Sequence, residues 1–256
     1  LGTLTELLCE DGYWLKNYNC DDIEWCYNNG MGCSDDIIYS LDVGNNLISY
    51  PFEQSNGVSE AIPDQYEGFI TYILSENSAA INHSTLGWIG TLTAFEKNKG
   101  YWLRSTADIE FEFHEPESLT RQRVLNPSPY PYNQSTQQAF YFIESVQNIE
   151  IGDWILIFNE DKVIGAREWT GDFIDVPAMG DDGSDFTTGY IKTGTIPTFK
   201  LLSDGELINL EGDVPAWSNN QLFMLASLSE EVIFPETFGL DKAYPNPFNP
   251  ITTLRF

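Results

Sequence analysis

Short stretches rich in aromatic and β-branched residues recur along the chain, separated by Gly, Asn, Asp and Pro. Clear examples run from Ile109 to Phe113, from Phe140 to Ile143 and from Trp154 to Phe158. Residues of these types favour the half-buried surface of a pleated sheet, and the residues between them favour turns. Helical periodicity is scarce by comparison, so the pattern predicts an all-β protein.

One stretch departs from this pattern. From Ser59 to Leu74 the apolar residues form a stripe that a helix could lay over one sheet, and we expect a helix there. Regularly spaced turn signals elsewhere favour sandwiches of two sheets. We therefore expect tandem β-sandwich modules, Ig-like or jelly-roll-like, with at most one or two short helices.

The chain contains an internal repeat, because two segments near its start recur later with the same spacing between them. The matches are Gly2-Thr3-Leu4-Thr5 with Gly90-Thr91-Leu92-Thr93, and Gly12-Tyr13-Trp14-Leu15-Lys16 with Gly100-Tyr101-Trp102-Leu103-Arg104. The complete module spans about residues 46–115, and the first copy holds only its second half. Its leading strands are expected either to be missing or to be supplied by another subunit. Without them, a sheet edge of the first copy should be open.

These features predict five regions. They are a partial repeat module at 1–45, a complete repeat module at 46–115, a proline-rich linker at 116–137, a second type of β-sandwich at 138–233 and a distinct C-terminal segment at 234–256. Proline stiffens the linker and prevents regular strand pairing within it.

The charge of the chain restricts its partners. It has 39 acidic and 12 basic residues, a formal net charge of −27. Phosphate would be repelled, so nucleic acid is not expected as a partner. No apolar run approaches the roughly 20 residues of a membrane helix, so membrane insertion is not expected either. Cations are the natural counter-charge, although such acidity also serves solubility in a salty medium.

All four cysteines, Cys9, Cys20, Cys26 and Cys33, lie near the start of the chain. An even, clustered set predicts two disulfides and an oxidising compartment. Three pairings are open, of which Cys9–Cys20 with Cys26–Cys33 is the simplest. The alternative is a zinc site of four thiolates, which the absence of C-x-x-C spacing disfavours.

The sharpest candidate for a ligand site is an acidic turn. It comprises Asp181, Asp182, Ser184 and Asp185 around Gly183, and Asp172 and Asp175 precede it by a short loop. Calcium takes six to eight oxygen ligands in flexible geometry, so these residues form a candidate calcium site. The alternative is a solvated turn held by ordinary Asx hydrogen bonds.

Aromatic side chains are a second candidate, because their faces stack on sugars and cations. Trp154 lies within an apolar strand, and Trp14 and Trp102 occupy equivalent places in the two repeat copies. These positions favour packing in the core. Trp169 and Trp217 stand in loop-like surroundings and are the candidates for contact with a ligand.

Motifs of catalysis are not found. The sequence lacks G-x-S-x-G, H-E-x-x-H and a phosphate-binding loop, and its two histidines, His83 and His114, sit in no known motif. We do not expect an enzyme.

The C-terminal segment, Leu240 to Phe256, contains Tyr244-Pro245-Asn246-Pro247-Phe248-Asn249-Pro250 followed by a threonine-containing strand. It resembles the opening of the C-terminal sorting domain of cargo of the type IX secretion system. The modules around Gly100-Tyr101-Trp102-Leu103 and Asp153-Trp154-Ile155 are similar to modules of large exported bacterial proteins. The resemblance implies export and display at the cell surface, and it implies no particular chemistry.

Three functions remain as hypotheses. The first is a structural subunit of an extracellular fibre, sheath or matrix, joined to copies of itself by donated strands such as Ile251 to Phe256. The second is a region that binds carbohydrate, such as a surface glycan, or that serves adhesion within a larger exported protein. The third is a fragment of an enzyme, which the sequence favours least.

Overall fold

The computed structural model describes residues 7–14, 36–117, 121–171 and 173–231, and the all-β prediction is confirmed. Within residues 36–117 strands alternate with short turns and two brief helices. Their bounds are β1 (Tyr39–Leu41), β2 (Gly44–Ser49), β3 (Asn56–Gly57), α1 (Val58–Ala61), α2 (Asp64–Glu67), β4 (Ile70–Ser75), β5 (Ser78–His83), β6 (Gly87–Gly90), β7 (Ala94–Phe95), β8 (Gly100–Ser105) and β9 (Ile109–Phe111).

The first module is built on a five-stranded antiparallel sheet in the order β2-β8-β4-β5-β6, hereafter sheet 1. Strand β8 shows how the sheet divides its faces, because side chains alternate along a strand. Tyr101 and Leu103 are buried in the module's own core, together with residues of β1, β9, β7 and α1. Trp102 lies on the opposite face, which packs against the second module.

The second module contains two sheets that pack face to face. Its elements are β10 (Gln138–Ile143), β11 (Trp154–Asn159), β12 (Lys162–Glu168), β13 (Ile174–Met179), a 3-10 turn (Asp185–Thr187), β14 (Thr198–Ser203), β15 (Glu206–Glu211), β16 (Leu222–Leu225) and β17 (Ser229–Glu230). Strands β13-β10-β16 form sheet 2, in which β10 and β16 are parallel, and β12-β11-β14-β15-β17 form antiparallel sheet 3. The main core of this module lies between sheets 2 and 3.

Strand β10 is buried on both faces, which explains why its sequence is apolar without alternation. Tyr141 and Ile143 point into the core between sheets 2 and 3. Phe140 points the other way and packs with Tyr72 and Leu74 of sheet 1. The two modules therefore share a continuous stack of sheets.

The prediction of one helix from Ser59 to Leu74 is wrong. Two separate single turns, α1 and α2, precede strand β4. Pro63 disfavours helical geometry at the residue before it, and Ile62 accordingly ends α1 in an extended conformation. Gly68 then closes α2, and the β-branched run that begins at Ile70 continues as a strand.

The first repeat copy contributes to the edge of the complete module. The Gly12 N–H donates to the Leu47 carbonyl, and the Ser49 N–H donates to the Glu10 carbonyl, each at 3.1 Å. A Cβ at Gly12 would lie 2.9 Å from the Ile48 carbonyl oxygen, so this close approach requires glycine. Residues 10–12 thus cover the free edge of β2, while 1–6 and 15–35 lie outside the described residues.

Residues 121–132, hereafter the strap, cross from one module to the other. The Gln122 side chain accepts from the N–H groups of Thr93 and Ala94 and donates to the Thr91 carbonyl, each at 2.9 Å. Further along, Tyr130 and Tyr132 pack on the outer face of sheet 3. The predicted linker is therefore fastened at both ends and is not a free spacer.

Candidate functional site

A buried polar constellation lies at the junction of the two modules. Asp175 of β13 and Arg167 of β12 point towards sheet 1 and are almost completely buried, with exposed fractions of 0% and 4%. The apolar part of the same junction comprises Tyr72, Leu74, Ala79 and Phe140, with Ile81, Trp102 and Leu222 around them.

Asp175 accepts hydrogen bonds from donors that stabilise its ionised form. Thr91 donates to it through its N–H (2.8 Å) and its hydroxyl (2.6 Å), and the Ala79 N–H donates at 3.1 Å. The Arg167 guanidinium lies 3.5 Å from the same carboxylate. Three of these donors belong to the first module, so the Asp175 side chain links the second module to the first.

Arg167 completes the network with backbone acceptors from both modules. Its Nε donates to the Asp175 carbonyl at 2.8 Å, and its Nη2 donates to the Asn77 carbonyl at 2.7 Å. Burial raises the pKa of the Asp175 carboxyl, while Arg167 and the Thr91 donors oppose that shift. A buried charge is costly unless it is paired and hydrogen-bonded, and the network meets both conditions.

Other polar bonds extend the junction on either side of this pair. The Gln138 side chain donates to the Ser75 carbonyl at 3.1 Å, and the Tyr72 hydroxyl donates to the Asn220 carbonyl at 3.0 Å. Asn45 donates to the same Asn220 carbonyl at 2.9 Å. These bonds involve several strands, so the junction is an extended interface between the two modules.

The acidic turn at 181–185 has different chemistry. Asp182 accepts from the Ser184 hydroxyl (2.7 Å), the Thr187 hydroxyl (2.8 Å) and the Thr136 N–H (3.1 Å). Asp181 accepts from the Gly183 N–H and lies 3.3 Å from Lys192. These two groups, the Gly183 N–H first, lower the pKa of Asp181. The turn thus has the Asx hydrogen bonds typical of a tight loop.

The structure separates the predicted calcium ligands. Asp181, Asp182, Ser184 and Asp185 share one turn, whereas Asp175 lies on β13 and faces the first module. Including Asp175 with the turn is therefore wrong: the alternation of the strand directs its side chain into the junction. Asp172 lies outside the described residues. No group of three or more His, Cys, Asp or Glu side chains suited to a metal occurs within the described ranges, and calcium at the turn stays a prediction.

A substitution separates the two interpretations of the turn. We expect Asp182→Ala to lower the free energy of unfolding by about 1–3 kcal/mol, because it leaves buried donors such as the Ser184 hydroxyl without their acceptor. Melting curves with calcium and with chelator should show the same loss. Asp185→Ala, at an exposed position of the same turn, is the matched control and should change little. A loss confined to the calcium sample would instead make the ion the stabilising partner.

The prediction that Trp169 and Trp217 face a ligand is wrong, because both side chains are buried. Trp169 follows β12 directly, and its backbone N–H donates to the Asp153 carbonyl at 2.7 Å. The Trp217 indole N–H donates to the Ala178 carbonyl at 3.0 Å within the core. Their loops fold back over the core, a tertiary arrangement that the local sequence does not reveal.

Two sequence features fall partly or wholly outside the described residues. Cys9 is disulfide-bonded, while Cys20, Cys26 and Cys33 lie outside those ranges, so the pairing of the four cysteines stays a prediction. The segment that resembles a sorting domain, 240–256, also lies outside them. In the part that is described, no helix is long and apolar enough to cross a membrane.

Comparison of the chain with known protein families, with curated proteins and with solved structures finds no match in any of the three.

Proposed function

We propose that the chain is a non-enzymatic, extracellular structural subunit of a surface fibre, sheath or matrix. The observation that supports this most is the junction, where Asp175 and Arg167 hold two β modules together through buried, hydrogen-bonded charges. A subunit that carries load needs modules that do not pivot independently. Most interfaces between domains within one chain allow the domains to move relative to each other.

The edge of β2 supports the proposed mode of assembly. Residues 10–12 of the same chain already occupy this edge through backbone hydrogen bonds, so it shows the geometry that strand donation uses but is not itself free to accept a strand from another copy. A donated strand makes a heterologous contact, and repetition of such a contact builds a filament of copies of the chain. Export is supported by the clustered cysteines, the acidic composition and the resemblance of the C-terminal segment.

The proposal is tested by assembly of the purified chain, measured by size-exclusion chromatography with light scattering and by electron microscopy. We expect long regular assemblies from the unaltered chain. Leu254→Asp with Phe256→Asp, which removes the apolar face of the proposed donor strand, should leave 29.0 kDa monomers. Monomers from both would contradict the structural role. Filaments from both would keep that role and exclude this donor strand.

A further inference from the structure

A groove lies beside the junction, between the strap and the first residues of β11. It has a volume of about 420 Å³, within the range of small-ligand sites. We name this site the strap groove, and its polar and aromatic lining includes Glu76, Asn77, Asn126, Tyr132, Gln134 and Trp154. They come from the first module, the strap and the second module, so the groove exists only when all three are assembled.

Trp154 gives the groove an aromatic platform. It opens β11 and packs beside Tyr132 on the outer face of sheet 3, where it is only partly buried. The next residue, Ile155, points to the opposite side of the sheet and into the core. A partly exposed indole presents an apolar face with a polar edge, which suits the C–H face of a pyranose ring.

Three amide side chains around the platform each keep one polar group available. The Asn77 oxygen accepts from the Tyr132 hydroxyl at 2.8 Å, and the Gln134 nitrogen donates to Gln138 at 3.1 Å. Asn126 donates through its nitrogen to Glu168. Within the described part of the chain, no partner engages the Asn77 nitrogen or the oxygens of Asn126 and Gln134. One donor and two acceptors therefore remain for hydroxyl groups.

The charges at the groove select among sugars. Glu76 lies 3.4 Å from Lys99, and Arg167, which reaches the wall of the groove, is paired with Asp175. The six named residues include no cation, and the chain as a whole carries a formal charge of −27. An acidic or sulfated sugar would find here only cations that are already paired with carboxylates, and the net charge of the chain would repel it.

We propose that the strap groove binds a neutral oligosaccharide, which stacks on Trp154 and hydrogen-bonds to the amides of Asn77, Asn126 and Gln134. This site goes beyond the structural role and does not depend on it. A glycan bound at this groove would contact both modules at once, because Asn77 belongs to one and Trp154 to the other.

The test uses the full chain labelled with ¹⁵N and titrated with neutral β-linked gluco-, manno- and xylo-oligosaccharides. The seven tryptophans report through their indole N–H signals, and Trp154→Phe assigns the signal of Trp154. We expect saturable shifts of that signal with at least one of these sugars. Trp154→Ala should weaken binding by about tenfold, which corresponds to about 1.4 kcal/mol, because the stacked aromatic ring is lost.

Two further variants keep the test decisive if Trp154→Ala does not fold. Asn126→Ala, at an exposed position, and Gln134→Ala should each weaken binding several-fold. Trp88→Ala, a partly buried tryptophan of the first module, should leave it unchanged. The proposal is overturned if no neutral sugar gives saturable shifts, if the groove variants bind as the unaltered chain does, or if oligogalacturonate binds better. The assembly experiment is independent of these outcomes.

Discussion

Replacing Asp175 by alanine should lower the free energy of unfolding by about 3–5 kcal/mol, the cost of leaving a buried charge without its partner. Arg167 would stay buried with no carboxylate beside it, and the N–H groups of Ala79 and Thr91 would lose their acceptor. Denaturation in urea measures the loss. Because the junction couples the modules, we also expect the variant to unfold in two transitions.

The controls for this prediction separate a buried pair from an exposed one. Lys99→Met breaks the exposed pair with Glu76 and should cost no more than about 1 kcal/mol. Asp175→Ala combined with Arg167→Met should be less destabilised than the two single variants predict together, because no unpaired charge remains. A cost for Asp175→Ala as small as that of Lys99→Met would show that the junction does not depend on this pair.

Replacing Trp217 by alanine should cost about 3–5 kcal/mol, the usual effect of removing a large aromatic side chain from a core. Trp217 is fully buried, and its ring packs against Gly180, where a Cβ would lie 2.5 Å from the indole. The loss is measured by thermal or urea denaturation. Trp88→Ala, at a partly buried position, is the matched control and should cost clearly less.

The contact with Gly180 gives this second prediction a specific check. Gly180→Ala should destabilise the unaltered protein, because the added methyl group overlaps the indole ring. The same substitution should cost less in the Trp217→Phe background, where the smaller ring lacks the atoms in conflict. Equal costs in the two backgrounds would contradict the packing described for this pair.

The fold class was predictable because strand composition and turn residues depend on local sequence. The structure of residues 59–74 was not predicted correctly, because an apolar stripe occurs both in helices and in turns that lead into a strand. Here Pro63 and Gly68 were the local signals that outweighed it. The parallel pairing of β10 with the distant β16 depends on long-range contacts, which no local pattern specifies.

The candidate sites were harder to predict for the same reason. Trp217 stands in loop-like surroundings, yet its loop returns to the core. Conversely, Trp154 lies in an apolar strand, yet it is the first residue of that strand and faces outward beside the strap. A usable signal for the junction existed: Asp175 is the one charge within the otherwise apolar stretch of β13, and Arg167 carries the opposite charge near the end of the preceding strand.

The double burial of β10 has a consequence for biosynthesis. The outer face of sheet 2 carries Phe140 and Leu222. This face stays exposed until sheet 1 packs against it. The ribosome releases the first module before the second, so sheet 1 is already available as a surface when β10 emerges. Synthesised alone, the second module would expose this apolar face and be prone to aggregate. The order of the modules along the chain thus limits the time for which this apolar face is exposed during synthesis.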